Sequence, residues 1–218
     1  MKDTLDAVDK YHALGWALVG IPAGSNAPST FSWQTKAAER SYWEASPSHN
    51  VGLLHALSGT VALDIDDMEN TRTIFEALNM DLDAMLASAP RIVGRPDRGK
   101  VLFAAPDGPP LTTRKISWPV PDDPRKTEVV FELRAGSVQD VLPPSIHPDT
   151  GQAYTWAGPD ISEGIPPLPD QLLTLWQEWD RFRPQLADLC PWARKREFTP
   201  PPKAQRTGDG QSVIAAYN

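Results

Sequence analysis

The 218-residue chain has a single cysteine, which excludes two classes of small protein. One thiol cannot build a disulfide framework or a cysteine-rich zinc site. Cys190 stands in the sequence DLCPWA with no obvious base beside it, so we interpret it as a packing residue. A lone thiol is also compatible with a reducing cytoplasm.

Long apolar runs are also missing from the chain. No stretch of about 18 apolar residues exists, so the sequence predicts no membrane span. The first 16 residues, MKDTLDAVDKYHALGW, are charged and lack the apolar core run of a signal peptide. We therefore expect a cytoplasmic protein.

Basic residues are fewer than acidic ones: the chain has 21 Lys and Arg residues against 28 Asp and Glu residues, which gives a net charge of −7. This balance argues against a generic nucleic-acid coat, since phosphate binding depends on basic side chains. The charges are unevenly distributed, with acidic residues crowded over 64–83 and basic residues recurring over 91–134. Such a separation suits a metal–triphosphate site, although an ordinary mixed surface is the alternative.

The pattern of apolar and turn-forming residues predicts interleaved helices and strands. Helices are predicted over residues 3–14, 36–45, 67–78, 81–88 and 169–182. Strands are predicted over residues 16–21, 51–57, 61–66, 90–94, 99–106, 127–136 and 153–156. Several strands follow one another directly, so the expected class is α+β or mixed α/β with an antiparallel-rich sheet.

Two connections in this pattern carry specific predictions. The runs 51–57 and 61–66 flank Ser-Gly-Thr, which predicts a strand, a tight turn and a second strand. Residues 105–126 are rich in proline and charge, which predicts a long loop.

The amino-acid composition of the chain changes near Cys190. The polar, proline-rich stretch after it predicts a linker. The final SVIAAYN begins a helical pattern that stops after one or two turns, and a helix that short does not stand alone. We therefore expect one domain over residues 1–190, then a linker and the start of a truncated region over 191–218.

Asp64 and Asp66 form the sharpest motif, DID, at the end of an apolar run. Residues i and i+2 of a strand share a face, so the two carboxylates lie side by side while Ile65 turns into the core. Like charges this close repel, and hard ions such as Mg²⁺ or Mn²⁺ prefer carboxylate oxygens. Asp67 is the natural N-cap of the next helix, and a cap with a solvated neighbour is the alternative interpretation.

Glu132 interrupts the apolar strand VVFELRAG, with Arg134 two residues on and on the same face. Burying a glutamate is costly, so it needs a partner. Two interpretations stay open: an ion pair between Glu132 and Arg134, or a third carboxylate for a two-metal site.

Basic residues occupy the sequence GRPDRGKVLF, namely Arg95, Arg98 and Lys100. Near carboxylate-bound metals, such side chains suit a triphosphate, although a solvated hairpin turn is also possible.

Ser145 and His147 fall in the proline-flanked turn PPSIHPDTG. The pair suggests a hydrolase, but no GxSxG elbow is present. We interpret His147 as a donor to a phosphate or a base, with a purely structural turn as the alternative.

Four segments in this order resemble the bifunctional primase-polymerase (Prim-Pol) domain of the archaeo-eukaryotic primase superfamily. They are GWALVGIPAGSNAP, NVGLLHALSGTVALDIDD, GRPDRGKVLF and FELRAGSVQDVLPPSIHPDTGQAYTW, and together they span about Gly15 to Trp156. The resemblance implies a two-lobed α+β fold, with a modified RRM-like catalytic sheet and a smaller α/β unit. It also implies a DNA primase/polymerase activity, and such domains are common in phages, prophages and plasmids.

The resemblance places the family's metal pair on Asp64 and Asp66 and its third acidic residue, usually Asp, on Glu132. It implies two Mg²⁺ or Mn²⁺ ions bound by these three catalytic residues. Lys100 stands where the family normally has a histidine, and Asn26 where relatives often have a lysine. The residues expected to bind the nucleotide are Arg95, Arg98, Lys100, Arg134, Ser145 and His147.

The implied partners are a single-stranded DNA template and NTP or dNTP substrates, in the cytoplasm of a bacterial host cell. Such domains often precede a helicase, so a helicase domain is expected in the full-length parent. Two rival functions use the same residues differently. One is a metal-dependent nuclease or phosphohydrolase, and the other is a non-catalytic nucleic-acid-binding module of a replication protein.

Overall fold

The computed structural model of the protein describes residues 2–192. Most of the predicted linker and truncated region, residues 193–218, lies outside this range. None of the helices within it has the length and apolar character needed to cross a membrane.

The chain alternates short helices and strands, with bounds as follows. The strands are β1 (Leu18–Ile21), β2 (Asn50–Leu54), β3 (Thr60–Ile65), β4 (Arg91–Val93), β5 (Gly99–Ala104), β6 (Arg114–Val120), β7 (Asp123–Arg134), β8 (Gln139–Leu142) and β9 (Thr155–Ala157). The helices are α1 (Lys2–Ala13), α2 (Ser41–Ala45), α3 (His55–Ser58), α4 (Met68–Ala77), α5 (Leu82–Ser88), α6 (Asp170–Gln177) and α7 (Trp179–Asp188), with a 3₁₀ turn at Ile161–Glu163.

The strands form two antiparallel sheets. The small sheet has the order β1-β2-β8, and the large sheet has the order β6-β7-β3-β5-β4-β9. Two antiparallel sheets with separate helices agree with the predicted α+β class.

Alternation along β3 gives the large sheet two different faces. Val61, Leu63 and Ile65 join one apolar core together with residues of α4 to α7. Ala62 joins a second core, together with residues of α1 and of the small sheet. Asp64 follows Ala62 on that second face, so a carboxylate lies on the side of the large sheet that meets the small one.

The predicted hairpin between 51–57 and 61–66 is wrong. Strand β2 ends at Leu54, and β2 and β3 belong to different sheets. The turn of helix α3 separates them and ends at Gly59, which adopts the left-handed conformation with φ 62°. The buried His55 at the start of α3 forms side-chain hydrogen bonds with Thr60 and Asp140.

The predicted long loop over 105–126 is also wrong in its second half. Strand β6 spans Arg114–Val120, and β7 already begins at Asp123. Ile116 and Trp118 alternate with more exposed neighbours and are both buried. Strand β6 lies at the edge of the large sheet, where a proline such as Pro119 is tolerated.

Two predicted helices have different bounds in the structure. The helix predicted over 36–45 is confined to Ser41–Ala45, because the Ala38 N–H donates to the Leu18 carbonyl of β1. The helix predicted over 169–182 is interrupted at Glu178, which separates α6 from α7.

The helices predicted over 67–78 and 81–88 are confirmed as α4 and α5. Asp67 caps α4, as predicted, by accepting from the Asn70 N–H, and Asp81 caps α5 by accepting from the Ala84 N–H.

Candidate active site

A pocket of about 210 Å³ opens at the end of β3. Six of the nine residues predicted for the site line it, namely Asp64, Asp66, Arg95, Arg98, Lys100 and His147. Further lining residues are Asn26, Ile92, Gly94, Gly99, Pro148, Asp149 and Tyr154. A wider and more acidic cleft adjoins it and shares Asp66 and Arg98.

The strand order positions three of the predicted residues side by side. Strand β3 lies between β5 and β7, and Asp64 is directly opposite Lys100 on one side and Glu132 on the other. Directly opposed residues of antiparallel strands point to the same face, so the two acids and the lysine share one surface of the sheet. Asp64 is buried.

Each predicted metal-binding carboxylate is paired with a basic side chain. Lys100 Nζ donates to Asp64 Oδ2. Arg98 Nη1 lies 2.9 Å from Asp66 Oδ1, and Arg134 Nη1 lies 2.6 Å from Glu132 Oε2.

The Glu132–Arg134 ion pair, which the sequence left open against a metal role, is therefore present. Both side chains of the pair are 18% exposed, and β7, which carries them, is an interior strand of the large sheet.

The donor chemistry of these three acids fits a divalent ion. The second oxygen of each carboxylate accepts no hydrogen bond within residues 2–192, so one hard oxygen ligand on each is available. As they stand, the described residues contain no group of three or more His, Cys, Asp or Glu side chains positioned to hold a metal ion. Binding through all three acids would therefore require the ion pairs to rearrange.

Asp140 is a member of this cluster that the sequence reasoning missed. It projects from β8 of the small sheet, is only 1% exposed, and lies with Oδ1 2.8 Å from Arg134 Nε and 3.5 Å from Lys100 Nζ. Its Oδ2 lies 2.9 Å from His55 Nε2, whose other ring nitrogen lies 2.9 Å from Thr60 Oγ1. The only sequence signal was an aspartate within the otherwise uncharged run QDVL.

Burial and charge shift the pKa values of Asp64, Asp140 and Lys100 in the cluster. Burial raises the pKa of Asp64, and Lys100 opposes this rise. Burial acts in the same direction on Asp140, but Arg134 and Lys100 outweigh it and hold the pKa of Asp140 well below the usual carboxyl range. Burial would lower the pKa of Lys100, yet Asp140 and Asp64 raise it above its ordinary value. Asp140, ahead of Asp64, thus favours the charged form of Lys100.

The opposite wall of the pocket consists of His147 and Tyr154, whose rings stack with centroids 5.3 Å apart. His147 Nδ1 accepts from the Asp149 N–H, and Asp149 in turn binds Arg95 at 2.6 Å. Burial, together with the charge of Arg95, lowers the pKa of His147. The wall thus combines two stacked rings with a charged rim.

Three predicted residues do not line the 210 Å³ pocket. Glu132 and Arg134 lie beside Asp64 on the sheet but outside the pocket lining. Ser145 is buried, and its hydroxyl oxygen accepts from the Val51 N–H at 2.8 Å, which ties the turn after β8 to β2.

Asn26, from the loop where relatives often carry a lysine, does reach the pocket. Its carbonyl accepts from Gln139 Nε2 at 2.7 Å, which anchors this loop to β8. The backbone of Asn26 is thus tied to the small sheet at the edge of the pocket.

Comparison with curated proteins gives no match. The family described as "Bifunctional DNA primase/polymerase, N-terminal" (Prim-Pol) matches the chain over residues 8–171. This range contains every strand of both sheets, the pocket and the cluster around Asp140, and it confirms the resemblance inferred from the sequence. The chain belongs to the Prim-Pol family of bifunctional DNA primase/polymerase N-terminal domains.

Proposed function

We propose that this chain is a template-directed nucleotidyltransferase, which joins an NTP or dNTP to a 3′-hydroxyl on single-stranded DNA. The observation that carries the proposal is the family match over a range in which Asp64 and Asp66 form ion pairs with Lys100 and Arg98 in the lining of one pocket. Adjacent carboxylates and basic side chains are the two halves of a site that handles metal-bound triphosphates.

Asp64, Asp66 and Glu132 would hold two Mg²⁺ or Mn²⁺ ions. When bound, such ions lower the pKa of the attacking hydroxyl and neutralise charge at the α-phosphate. The support for this assignment is the oxygen on each carboxylate that has no hydrogen-bond donor within the described residues.

Arg98 and Lys100 would bind the triphosphate. Both already point at the carboxylates, and a phosphate oxygen is an equivalent acceptor for a guanidinium or an ammonium group. Arg95 lies on the rim and would contact the outer phosphates in exchange for its exposed partner Asp149. His147 and Tyr154 would border the sugar or base through their stacked rings.

The large sheet would be the modified RRM-like catalytic lobe, and the small sheet the core of the second lobe. In this arrangement β3, β5 and β7 carry the reacting groups, and β8 supports them from the other sheet. We further propose a phage, prophage or plasmid replication protein, acting in the cytoplasm of a bacterial host beside a helicase domain of the same parent chain.

The test is a synthesis assay with the purified chain on single-stranded DNA, with and without a primer, with Mg²⁺ or Mn²⁺ and with NTPs or dNTPs. Strand length and released pyrophosphate are measured together. D64N and D66N are each expected to lower synthesis by more than about 100-fold, since loss of second-shell metal partners alone costs 10–100-fold. D83N is the matched control, because Asp83 is an exposed carboxylate on α5 that binds Arg72.

Two outcomes overturn the proposal in favour of its rivals. Metal-dependent strand shortening without pyrophosphate release would indicate a nuclease. DNA binding that survives D64N and D66N, with no synthesis by the unmodified chain, would indicate a non-catalytic binding module.

A further inference from the structure

Asp140 Oδ1 is a buried carboxylate oxygen that accepts no hydrogen bond within residues 2–192. Arg134 Nε lies 2.8 Å away, but it too is without a hydrogen-bond partner, so the two atoms are in charge contact only. A buried acceptor without a donor is unfavourable and is uncommon in folded proteins. The mechanism proposed above gives this oxygen no role.

Lys100 Nζ is the nearest ammonium group to this oxygen, at 3.5 Å, while it donates to Asp64 Oδ2. A small rotation of the flexible lysine side chain would bring Nζ within hydrogen-bond distance of Asp140. The lysine thus lies between two carboxylates, one lining the pocket and the other enclosed beneath it.

A divalent ion at Asp64 would repel an ammonium group bonded to the same carboxylate. Partial burial disfavours movement of Lys100 into bulk water, since its side chain is only 22% exposed. The unpartnered oxygen of Asp140 is the one enclosed anion beside it that Lys100 does not yet hydrogen-bond within the described residues.

We propose that Lys100 is a two-position cation, bonded to Asp64 when no divalent ion is present and handed to Asp140 when an ion binds Asp64. This inference rests on the proposed metal role of Asp64. Asp140 is then a positioning residue that acts through Lys100, and His55 holds its other oxygen in place. After the handover Asp64 faces the ion and Asp140 faces Lys100, which stays beside the pocket.

The test measures Mn²⁺ binding to the protein without nucleotide, by electron paramagnetic resonance of the free ion. The variants are D64N, D140N, K100M and K100M/D140N, each checked for folding by circular dichroism. D140N is expected to weaken Mn²⁺ binding by about 10–100-fold, as for other partners of metal ligands. K100M is expected to strengthen it, because Asp64 loses its competing cation.

The double variant separates a handover from a simple effect of charge. If Asp140 acts by binding Lys100, the Mn²⁺ affinity of K100M/D140N is within about twofold of that of K100M. Without the lysine, Asp140 has no ammonium group to bind, so its removal has little further effect. The handover would be overturned if the D140N substitution lowered Mn²⁺ affinity equally in the presence and in the absence of Lys100. An unchanged Mn²⁺ affinity in D140N would overturn it as well. If D140N does not fold, K100M still tests the proposal, because equal or weaker Mn²⁺ binding in K100M would overturn it.

Failure of this inference is distinguishable from failure of the proposed function. Mn²⁺ binding that D64N does not affect would overturn the metal role of Asp64 and the handover with it. Binding that D64N abolishes but D140N leaves unchanged would overturn the handover alone.

Discussion

Asp64 and Lys100 lie directly opposite each other on β3 and β5, and the lysine ammonium donates to the aspartate carboxylate. In the proposed function Lys100 therefore lies between a metal-binding carboxylate and the triphosphate. Its removal is expected to affect the two halves of the site in opposite directions, which makes Lys100 the most informative basic residue of the pocket.

Lys100→Met should impair nucleotide use even though it frees Asp64. A hydrogen bond to a charged group contributes about 1.5–3 kcal/mol, so its loss is expected to raise the KM for nucleotide by about tenfold or more. Steady-state kinetics with varied dNTP concentration provide the measurement. Lys126→Met is the control, because that side chain is 76% exposed near the start of β7. An unchanged KM in K100M would mean that the lysine takes no part in nucleotide binding.

His147 should be neutral at pH 7. Burial first, and then the charge of Arg95, lower its pKa below the ordinary value of about 6.5. Because the folded chain binds this proton more weakly than the unfolded chain, protonation opposes folding. The contribution of His147 to stability is therefore complete above pH 6.5 and is lost as the pH falls below that value.

Two variants should move this pKa in opposite directions. Arg95→Met removes a positive neighbour and should raise the pKa of His147, whereas Asp149→Asn removes a negative one and should lower it. The ring protons are followed by NMR titration, with H147Q identifying the signal. Equal His147 pKa values in the unmodified chain, R95M and D149N would show that these two charges do not affect the imidazole.

Gly94→Ala should narrow the pocket at its aromatic wall. A Cβ at Gly94 would lie 2.4 Å from Tyr154 Cε1 and 2.9 Å from His147 Cδ2, so the stacked rings would have to move. We expect a higher KM for nucleotide with a fold that is retained, since overpacking of this kind costs about 1–3 kcal/mol. Steady-state kinetics measure the KM, and a melting curve on the same sample checks that the fold is retained. An unaltered KM would mean that the nucleotide does not bind beside Gly94.

The local features of the site were predictable from the sequence because they depend on near neighbours in the chain. The two-residue period of a strand predicted that Asp64 and Asp66 lie side by side, and both line the pocket, although β3 ends at Ile65. The caps at Asp67 and Asp81 follow from a side chain that reaches the backbone N–H three residues on.

The features that depend on strand order were not predictable in the same way. Nothing near Asp64 in the sequence indicates that Lys100 and Glu132 flank it, because that follows from the order β7-β3-β5. Asp140 comes from the other sheet, and the short apolar run that carries it resembles any buried strand. The helical turn between β2 and β3 was missed because Ser-Gly-Thr also suits a hairpin, and only the separation of the two sheets decides between them.

The core beneath the catalytic face should be a major source of stability. Phe131 on β7 is fully buried and makes edge-to-face contacts with Phe75 and Trp179, at centroid distances of 5.8 Å and 6.4 Å. Phe131→Ala is expected to lower the free energy of unfolding by about 3–5 kcal/mol, from lost transfer energy and an unfilled cavity.

Phe31→Ala is the matched control for Phe131, because its side chain is 94% exposed. It should change the free energy of unfolding by no more than about 0.5 kcal/mol. Urea denaturation of both variants, followed by tryptophan fluorescence, gives the comparison. Phe131 is adjacent to Glu132 and pairs with Ile65, beside Asp64, so its loss should also reduce synthesis. A Phe131 variant as stable as the Phe31 variant would mean that this core does not support the strands that carry the acids.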